Sequence, residues 1–305
     1  MSTALPLHTL TNLWRFDTIA GVTGGGATPP HLRFATCYGE PSQVKEFLIF
    51  FNGRNEFIEK YTSLPEDLQL GTERGFLTWD HRGQGASQGQ RSHIDSYETF
   101  ARDAQRIIDH QVSFTTPYTI LAHSMGGLIA LYGIMKQYFR PQRLIITSPL
   151  LGVPNHPLPR FLSRPLASLL SSVGMSKKYI NSDRYPRDPV ATNPLTHDFA
   201  KYLALQNGIH SGRSITFGWL RATFAALEFV FSEQALQQFD VPVYMLTAEH
   251  EEVVDPLGAA KFSSRLKQIK PQQVICEQLN GALHELLFEE KHLYQKALEK
   301  VRHWL

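Results

Sequence analysis

The chain has few cysteines, no long hydrophobic run and almost no net charge. Its 305 residues include only two cysteines, Cys37 and Cys276, whose wide separation predicts reduced thiols rather than a disulfide and excludes a zinc site built from them alone. No segment reaches the roughly 18 apolar residues of a membrane-spanning helix, and the first residues lack the pattern of a secretory signal. We therefore expect a cytoplasmic protein.

The charge balance also narrows the class of partner. The chain carries 30 lysines and arginines against 28 acidic residues, a formal net charge of +2, and it has no dense basic run. This composition excludes a typical nucleic-acid-binding protein. No repeat period or low-complexity tract is visible, which argues against a solenoid or a scaffolding tail.

Short apolar runs separated by helix-length segments predict the fold. Three β-rich runs come first and predict antiparallel strands entering a sheet, at 13–19, 31–37 and 46–51. Later apolar runs predict further strands at 75–79, 118–122, 143–148, 241–248 and 272–279, with helices at 96–111, 126–138, 256–269 and 285–305. Such alternation is typical of βαβ units, so we predict an α/β fold with a largely parallel sheet flanked by helices.

The alternation stops between about residues 152 and 235. That stretch is too long for a connection, so we predict a helical lid inserted into a core formed by 1–151 and 236–305. Two amphipathic pieces of the lid carry large apolar residues at helical spacing, which predicts either packing against the core, an acyl-chain channel, or both. The first piece carries Leu166, Leu169, Leu170 and Val173; the second carries Trp219, Leu220, Phe224, Leu227 and Phe231.

The segment "LAHSMGGL" at 121–128 places Ser124 between a predicted strand and a predicted helix. This is the context of a nucleophile elbow, a strained turn that needs small neighbours and exposes the serine oxygen above the sheet. Gly126 meets that need, whereas the first small position is Ala122 rather than glycine. A serine in an ordinary turn is the alternative.

A serine nucleophile needs an imidazole base, and the base needs a carboxylate that orients it. In this architecture the chain order is Ser, acid, His, with the acid and the histidine after late strands. Asp255 in "EHEEVVDP" and His284 in "NGALHELLFEE" fill those places. The same loop holds other acidic candidates, over which we prefer Asp255: Glu249, Glu251 and Glu252. His250 is interpreted as a surface histidine.

Acyl transfer also needs backbone donors for the oxyanion that develops on the substrate. We predict that the amide of Met125 is one donor and that the amide of Arg54, after the glycine of "FFNGRNEF", is the second. No cofactor and no metal are predicted. The glycines of "GQGASQG" lack dinucleotide or phosphate-loop spacing, and "HELLF" has Phe288 where a zinc-protease helix needs its second histidine.

Five segments in this order resemble a known family: "FNGRNEF", "WDHRGQGAS", "LAHSMGGL", "TAEHEEVVDP" and "GALHELLFE". They are similar to the bacterial lysophospholipases related to monoacylglycerol lipases, within the α/β-hydrolase fold. The resemblance implies Ser124 as nucleophile, Asp255 as acid, His284 as base, and Arg54 with Met125 as oxyanion donors. Asn52, Arg54 and Asn55 depart from the monoacylglycerol lipase pattern, so a glyceride preference is not implied.

We therefore expect a serine hydrolase that cleaves the acyl ester of lysophospholipids through an acyl-enzyme. A monoacylglycerol lipase or broad carboxylesterase is the alternative, and a non-catalytic binding protein on the same fold is a distant one. Basic residues of the lid predict peripheral contact with an anionic membrane surface, with a solvated face as the alternative. They are Arg160, Arg164, Lys177, Lys178, Arg184 and Arg187, against Asp183 and Asp188.

Overall fold

A computed structural model describes residues 13–23, 28–154, 160–181, 189, 192–207 and 214–305. Its strands are β1 (Trp14–Ala20), β2 (His31–Cys37), β3 (Glu46–Phe51), β4 (Arg74–Trp79), β5 (Tyr118–His123), β6 (Arg143–Thr147), β7 (Val243–Ala248) and β8 (Val274–Leu279). Its α-helices are α1 (Leu64–Asp67), α2 (Tyr97–Gln111), α3 (Met125–Met135), α4 (Arg160–Leu170), α5 (Phe199–Asn207), α6 (Phe217–Val230), α7 (Glu233–Gln238), α8 (Gly258–Ile269) and α9 (Lys291–Trp304). Single turns of 3₁₀-helix lie at Pro41–Gln43 and Ile58–Tyr61, and a π-helical turn lies at Ser171–Met175.

The eight strands form one sheet in the order β1-β2-β4-β3-β5-β6-β7-β8. From β4 to β8 every neighbouring pair is parallel, and β1 and β2 pair antiparallel at one edge. The predicted α/β fold with a mostly parallel sheet is confirmed. The expectation that β3 is antiparallel is wrong, because the helical segment between β3 and β4 forms a crossover, and a crossover makes the two strands parallel.

Alternating residues of the central strands supply two separate cores. In β3, Phe47, Ile49 and Phe51 join the core beneath α2, α3, α6 and α8, while Leu48 and Phe50 join the core beneath α1 and α9. This follows from the two-residue period of a strand, whose side chains point to opposite faces. The central strands are therefore covered on both faces, whereas the edge strands β1 and β8 are partly exposed.

Two helix boundaries bear on the site. Helix α3 begins at Met125, directly after Ser124. Helix α9 begins at Lys291 rather than at the expected 285, because the backbone from His284 to Glu289 makes other contacts. Glu285 N donates to Leu195 O at 2.9 Å, for example. The histidine thus lies in a loop.

The described elements between β6 and β7 are all helical, but their apolar faces differ. In α6, Trp219, Leu220 and Phe224 are buried. At the end of α4 and in the π-helical turn, Leu169 and Val173 are 61% and 63% exposed, so the expectation that this face is covered by packing or lines a channel is wrong there. No helix of the described residues is long and apolar enough to span a bilayer.

Candidate active site

Ser124 occupies a strained turn between β5 and α3. Its backbone has φ 52° and ψ −116°, a conformation that non-glycine residues rarely adopt. A Cβ on Gly126 would lie 2.2 Å from the carbonyl oxygen of Phe51, so only glycine fits two residues after the serine. Ala122, two residues before Ser124, is completely buried, and its small side chain fits there. The turn has the geometry of a nucleophile elbow.

The structure brings Ser124 and His284 together, as expected. His284 Nε2 lies 3.0 Å from Ser124 Oγ, within hydrogen-bonding distance. The loop that carries the histidine is held at two points: Ser148 Oγ donates to the His284 carbonyl at 2.7 Å, and Leu283 N donates to Glu289 Oε1 at 2.9 Å. Glu289 is fully buried. The role of Ser148 does not follow from the motifs, because its partner is a backbone group 136 residues further along the chain.

The residue that faces the other ring nitrogen is Glu251. Its Oε2 and Oε1 atoms lie 2.7 and 2.9 Å from His284 Nδ1. The expectation that Asp255 meets this histidine is wrong. The Asp255 carboxylate instead accepts from Leu257 N at 3.1 Å just before α8 and pairs with Lys261 at 3.6 Å. Glu251 lies three residues beyond the end of β7, and its carboxylate reaches His284 in the loop that follows β8, the strand paired with β7.

The other acids of this loop are turned away from the ring. Glu249 Oε2 accepts from Gly281 N at 2.6 Å, and Glu252 is exposed.

Glu251 and His284 form a buried pair in which each side chain favours the charged form of the other. Burial alone would raise the pKa of Glu251, but the facing imidazole and the backbone amides of Val253 and Val254 lower it below its ordinary value. Burial alone would lower the pKa of His284, but Glu251 first, and then Glu285 and Glu56, raise it above 6.5. A carboxylate therefore faces Nδ1 and stabilises the imidazolium that forms if Nε2 takes a proton from Ser124.

The two predicted oxyanion donors flank the serine. Met125 is the first residue of α3, and Arg54 follows β3, which pairs with β5. Both line the same cavity as Ser124 and His284. The backbone of this loop is fixed on either side of Arg54, because Gly53 N donates to the Glu56 carboxylate and Asn55 N donates to the Gln84 side chain.

The residue before the oxyanion glycine is also held in place. Trp79 Nε1 donates to His81 Nδ1 at 3.0 Å, so His81 Nε2 carries the proton and donates to the Asn52 carbonyl at 3.1 Å. Burial lowers the pKa of His81 to about 4, and the ring stays neutral near pH 7. Asn52 itself donates to the Trp79 carbonyl at 2.8 Å.

The cavity above Ser124 has a volume of about 220 Å³ and a lining of mixed polarity. Its apolar lining residues include Leu150, Val153, Ile215 and Trp219. The lining also includes a cluster of buried titratable side chains that the sequence motifs did not single out. We call these residues the floor cluster: Glu56, Lys60, His123 and Glu285. An acyl ester suits such a cavity, since its chain is apolar and its leaving alcohol is polar.

A parallel sheet with a serine elbow after β5, a carboxylate after β7 and a histidine after β8 defines an α/β-hydrolase. The model of the family described as serine aminopeptidase, S33, matches residues 42–291. The chain belongs to this hydrolase family, and the resemblance noted in its motifs is confirmed.

Known relatives agree with that assignment. The chain is 27% identical over 279 residues to a probable lysophospholipase L2 of Haemophilus influenzae, covering 87% of this chain and 85% of the relative. It is 25% identical over 297 residues to mouse monoglyceride lipase, covering 90% and 89%. A solved monoglyceride lipase from Saccharomyces cerevisiae superimposes with a TM-score of 0.74 at 17% identity, covering 94% of each chain, which confirms the α/β-hydrolase fold.

Proposed function

We propose that the chain is a lysophospholipase, a carboxylic ester hydrolase that removes the remaining acyl chain of a lysophospholipid. The observation that carries this proposal is the relay in which His284 lies 3.0 Å from Ser124 Oγ and 2.7 Å from Glu251. The similarity to a probable bacterial lysophospholipase supports the substrate class. In this proposal Glu251 takes the role that the sequence motifs assigned to Asp255.

The reaction has two halves. Ser124 Oγ attacks the ester carbonyl carbon while its proton passes to His284 Nε2, and the amides of Met125 and Arg54 donate to the oxyanion. The carbon–oxygen bond of the ester then breaks, and the leaving glycerophospho-alcohol takes the proton from His284. Water attacks the acyl-enzyme with His284 as base and releases the fatty acid. Glu251 stays ionised throughout and stabilises the imidazolium.

Fatty-acid release measures the substrate class. With one acyl chain presented as a lysophospholipid, as a monoacylglycerol and as a p-nitrophenyl ester, we expect kcat/KM to be highest for the lysophospholipid. A maximum for the monoacylglycerol would favour the alternative that the mouse relative suggests, a monoacylglycerol lipase. A fluorophosphonate probe should label wild-type Ser124; its failure to react would favour a binding protein on this fold.

The segment 152–235 acts in this proposal as a lid over the cavity, and its outer face contacts the membrane. Its described residues include the exposed apolar residues Leu169, Val173 and Ile180, and the exposed Lys177 and Lys178 lie between the last two in the sequence. Apolar side chains beside cations suit an anionic bilayer surface. The side chain of Arg160 and residues 183, 184, 187 and 188 lie outside the described residues.

Sedimentation with vesicles tests this contact. Binding should require anionic lipid, weaken as salt rises, and weaken further in a Leu169→Ser, Val173→Ser double variant. Binding that is equal with neutral and anionic vesicles would contradict the electrostatic part of the proposal.

A further inference from the structure

The floor cluster joins two separate segments of the active site through one ammonium group. Lys60 Nζ, from the 3₁₀ turn after β3, donates to the carboxylate of Glu56 and to Glu285 Oε2, the latter at 2.6 Å. Glu56 also accepts from Gly53 N, next to the proposed oxyanion donor Arg54. Glu285 adjoins His284, the proposed base. A single side chain therefore links the oxyanion loop to the loop of the base.

The nucleophile elbow meets the same cluster. His123, the residue before Ser124, has Nε2 3.2 Å from Glu285 Oε2, and its Nδ1 lies 3.0 Å from Thr147 Oγ1. The rings of His123 and His284 are 5.0 Å apart between centroids. The oxyanion loop, the nucleophile elbow and the loop of the base thus all contact the floor cluster.

The cluster resembles a metal site but is occupied by the lysine. Glu56, His123 and Glu285 each offer a ligand atom, and these atoms lie within 4.8 Å of one another. However, the ammonium of Lys60 already donates to both carboxylates, and its side chain is only 1% exposed. A divalent cation would have to displace a buried, fully paired lysine, so these residues do not suit a resident metal.

Because Lys60 is buried, loss of its charge should have a large effect on the cluster. Two carboxylates and one ammonium are withdrawn from water together, and removing the ammonium leaves both carboxylates buried without their cation. Burial alone would lower the pKa of Lys60, but Glu285 and Glu56 raise it above its ordinary value, so the group stays charged. Burial alone would raise the pKa of Glu285, but Lys60 and His123 hold it well below its usual range.

We infer that Lys60 is a positioning residue for ester hydrolysis: by binding Glu56 and Glu285 at once, it sets the oxyanion loop and the His284 loop at their working separation. The inference rests on the proposed function of Ser124 and His284. Lys60 transfers no proton and forms no bond to the substrate in this scheme. Its effect reaches the reaction through Gly53 on one side and His284 on the other.

A second consequence concerns the protonation of the base. The charged or titratable groups around His284 are Glu251 from the loop after β7, Glu285 from its own loop, Glu56 and Lys60 from the segment after β3, and His123 from β5. Lys60 is the cation that offsets Glu56 and Glu285. Without it the imidazolium form of His284 is favoured, so the acidic limb of kcat/KM should move to higher pH.

Steady-state kinetics of Lys60→Met with a p-nitrophenyl acyl ester test the inference. Because a small misplacement of reacting groups is costly, we expect kcat to fall by roughly 10- to 100-fold with a smaller change in KM. The acidic limb should rise by about half a pH unit or more. Lys60→Arg, which keeps a cation, should recover most of kcat. The control is Lys45→Met, which removes a lysine paired with Glu73 at the surface and should match the wild type.

A Lys60→Met, Glu285→Gln double variant distinguishes a positioning role of Lys60 from the effect of an unbalanced buried charge. Its thermal stability also shows whether the loss of kcat in Lys60→Met comes from misfolding. It removes one charge of each sign, so its thermal stability and acidic limb should return toward the wild type. Its kcat should remain low, because the link between the loops is still missing. Recovery of kcat together with stability would overturn the inference.

Failure of the inference is distinguishable from failure of the proposed function. An unshifted acidic limb and an unchanged kcat in Lys60→Met, in an active and Ser124-dependent enzyme, would overturn the inference alone. Hydrolysis that persists in Ser124→Ala would overturn the proposed function, whatever the Lys60 variants do.

Discussion

The loops at the carboxyl ends of the central strands and the described helices between β6 and β7, which we call the cap, differ in how their side chains are held. At the carboxyl ends of the central strands, Ser124, His284 and Glu251 are buried or nearly so. His284 lies within hydrogen-bonding distance of both Ser124 and Glu251. On the cap, Leu169 and Val173 are more than half exposed, and the Arg164–Glu228 ion pair lies in solvent. A reaction needs fixed distances, whereas contact with a lipid surface needs exposed apolar area.

The two regions also differ in what determines the backbone. Ser124 keeps an unfavourable positive φ because β5, α3 and Gly126 hold the turn from all sides. In the cap, Gly174 has φ 86°, and no atom of the described residues beyond its own helical turn lies within 4 Å of its Cβ position, unlike the tight packing around Gly126. We therefore expect substitutions in the loops at the carboxyl ends of the central strands to lower kcat, and substitutions on the exposed surface of the cap to leave kcat nearly unchanged.

The largest contrast is expected between two serines. By analogy with studied triads, Ser124→Ala should lower kcat by roughly 10⁶, because it removes the attacking oxygen. Ser172→Ala removes a hydroxyl whose partner is the Leu169 carbonyl on the exposed cap, and should change kcat by less than about twofold. Fatty-acid release measures both. A large loss in Ser172→Ala would break the proposed division between the regions.

The next contrast lies within one loop. Glu251→Gln should lower kcat by roughly 10⁴, because an amide no longer stabilises the imidazolium. Asp255→Asn keeps an acceptor for Leu257 N and should cost less than about tenfold. The same assay on both variants decides the acid. A larger loss from Asp255→Asn than from Glu251→Gln would reassign that role.

A stability comparison comes third. Leu128→Ala in α3 removes a completely buried side chain and should lower the free energy of unfolding by about 2–5 kcal/mol. Leu169→Ala on the cap should change it by less than about 0.5 kcal/mol, since that side chain already contacts water. Urea unfolding measures both values. Equal losses would show that Leu169 is covered by the protein in solution.

The smallest effect concerns pH and salt. His284 must be neutral to accept the proton of Ser124, and Glu251 raises its pKa, so kcat/KM should fall as pH drops through a value above 6.5. Because the pair is buried, that value should change little between low and high salt, whereas vesicle binding by the cap should weaken. A pH profile at two salt concentrations measures the first, and a midpoint below 6.5 would contradict it.

The motifs predicted most of the sheet and two of the three residues, Ser124 and His284, that the structure brings together with Glu251. Strand periodicity located β2 and β3 to the residue, and the position of Ser124 between a strand and a helix predicted its turn. Asp255 and Glu251 lie in the same acidic loop. The choice between them depends on which carboxylate reaches His284 in space. No local pattern encodes that distance.

The floor cluster shows the same limit. Glu56 and Lys60 are four residues apart, but Glu285 comes 225 residues after Lys60, and nothing in the sequence near either one indicates that they meet. In the cap, helical spacing predicted two stripes of apolar residues. It did not indicate that α6 packs inward while Leu169 and Val173 face outward.

The amino-acid sequence by itself determined the alternating strands and helices, the small residues around Ser124 and the order of the chemical groups along the chain, because these depend on near neighbours. Only the tertiary structure decided which acid faces the histidine, that a buried lysine links two loops, and which apolar stripe is covered. Those outcomes depend on distances between strand ends, and such distances exist only after the sheet has assembled.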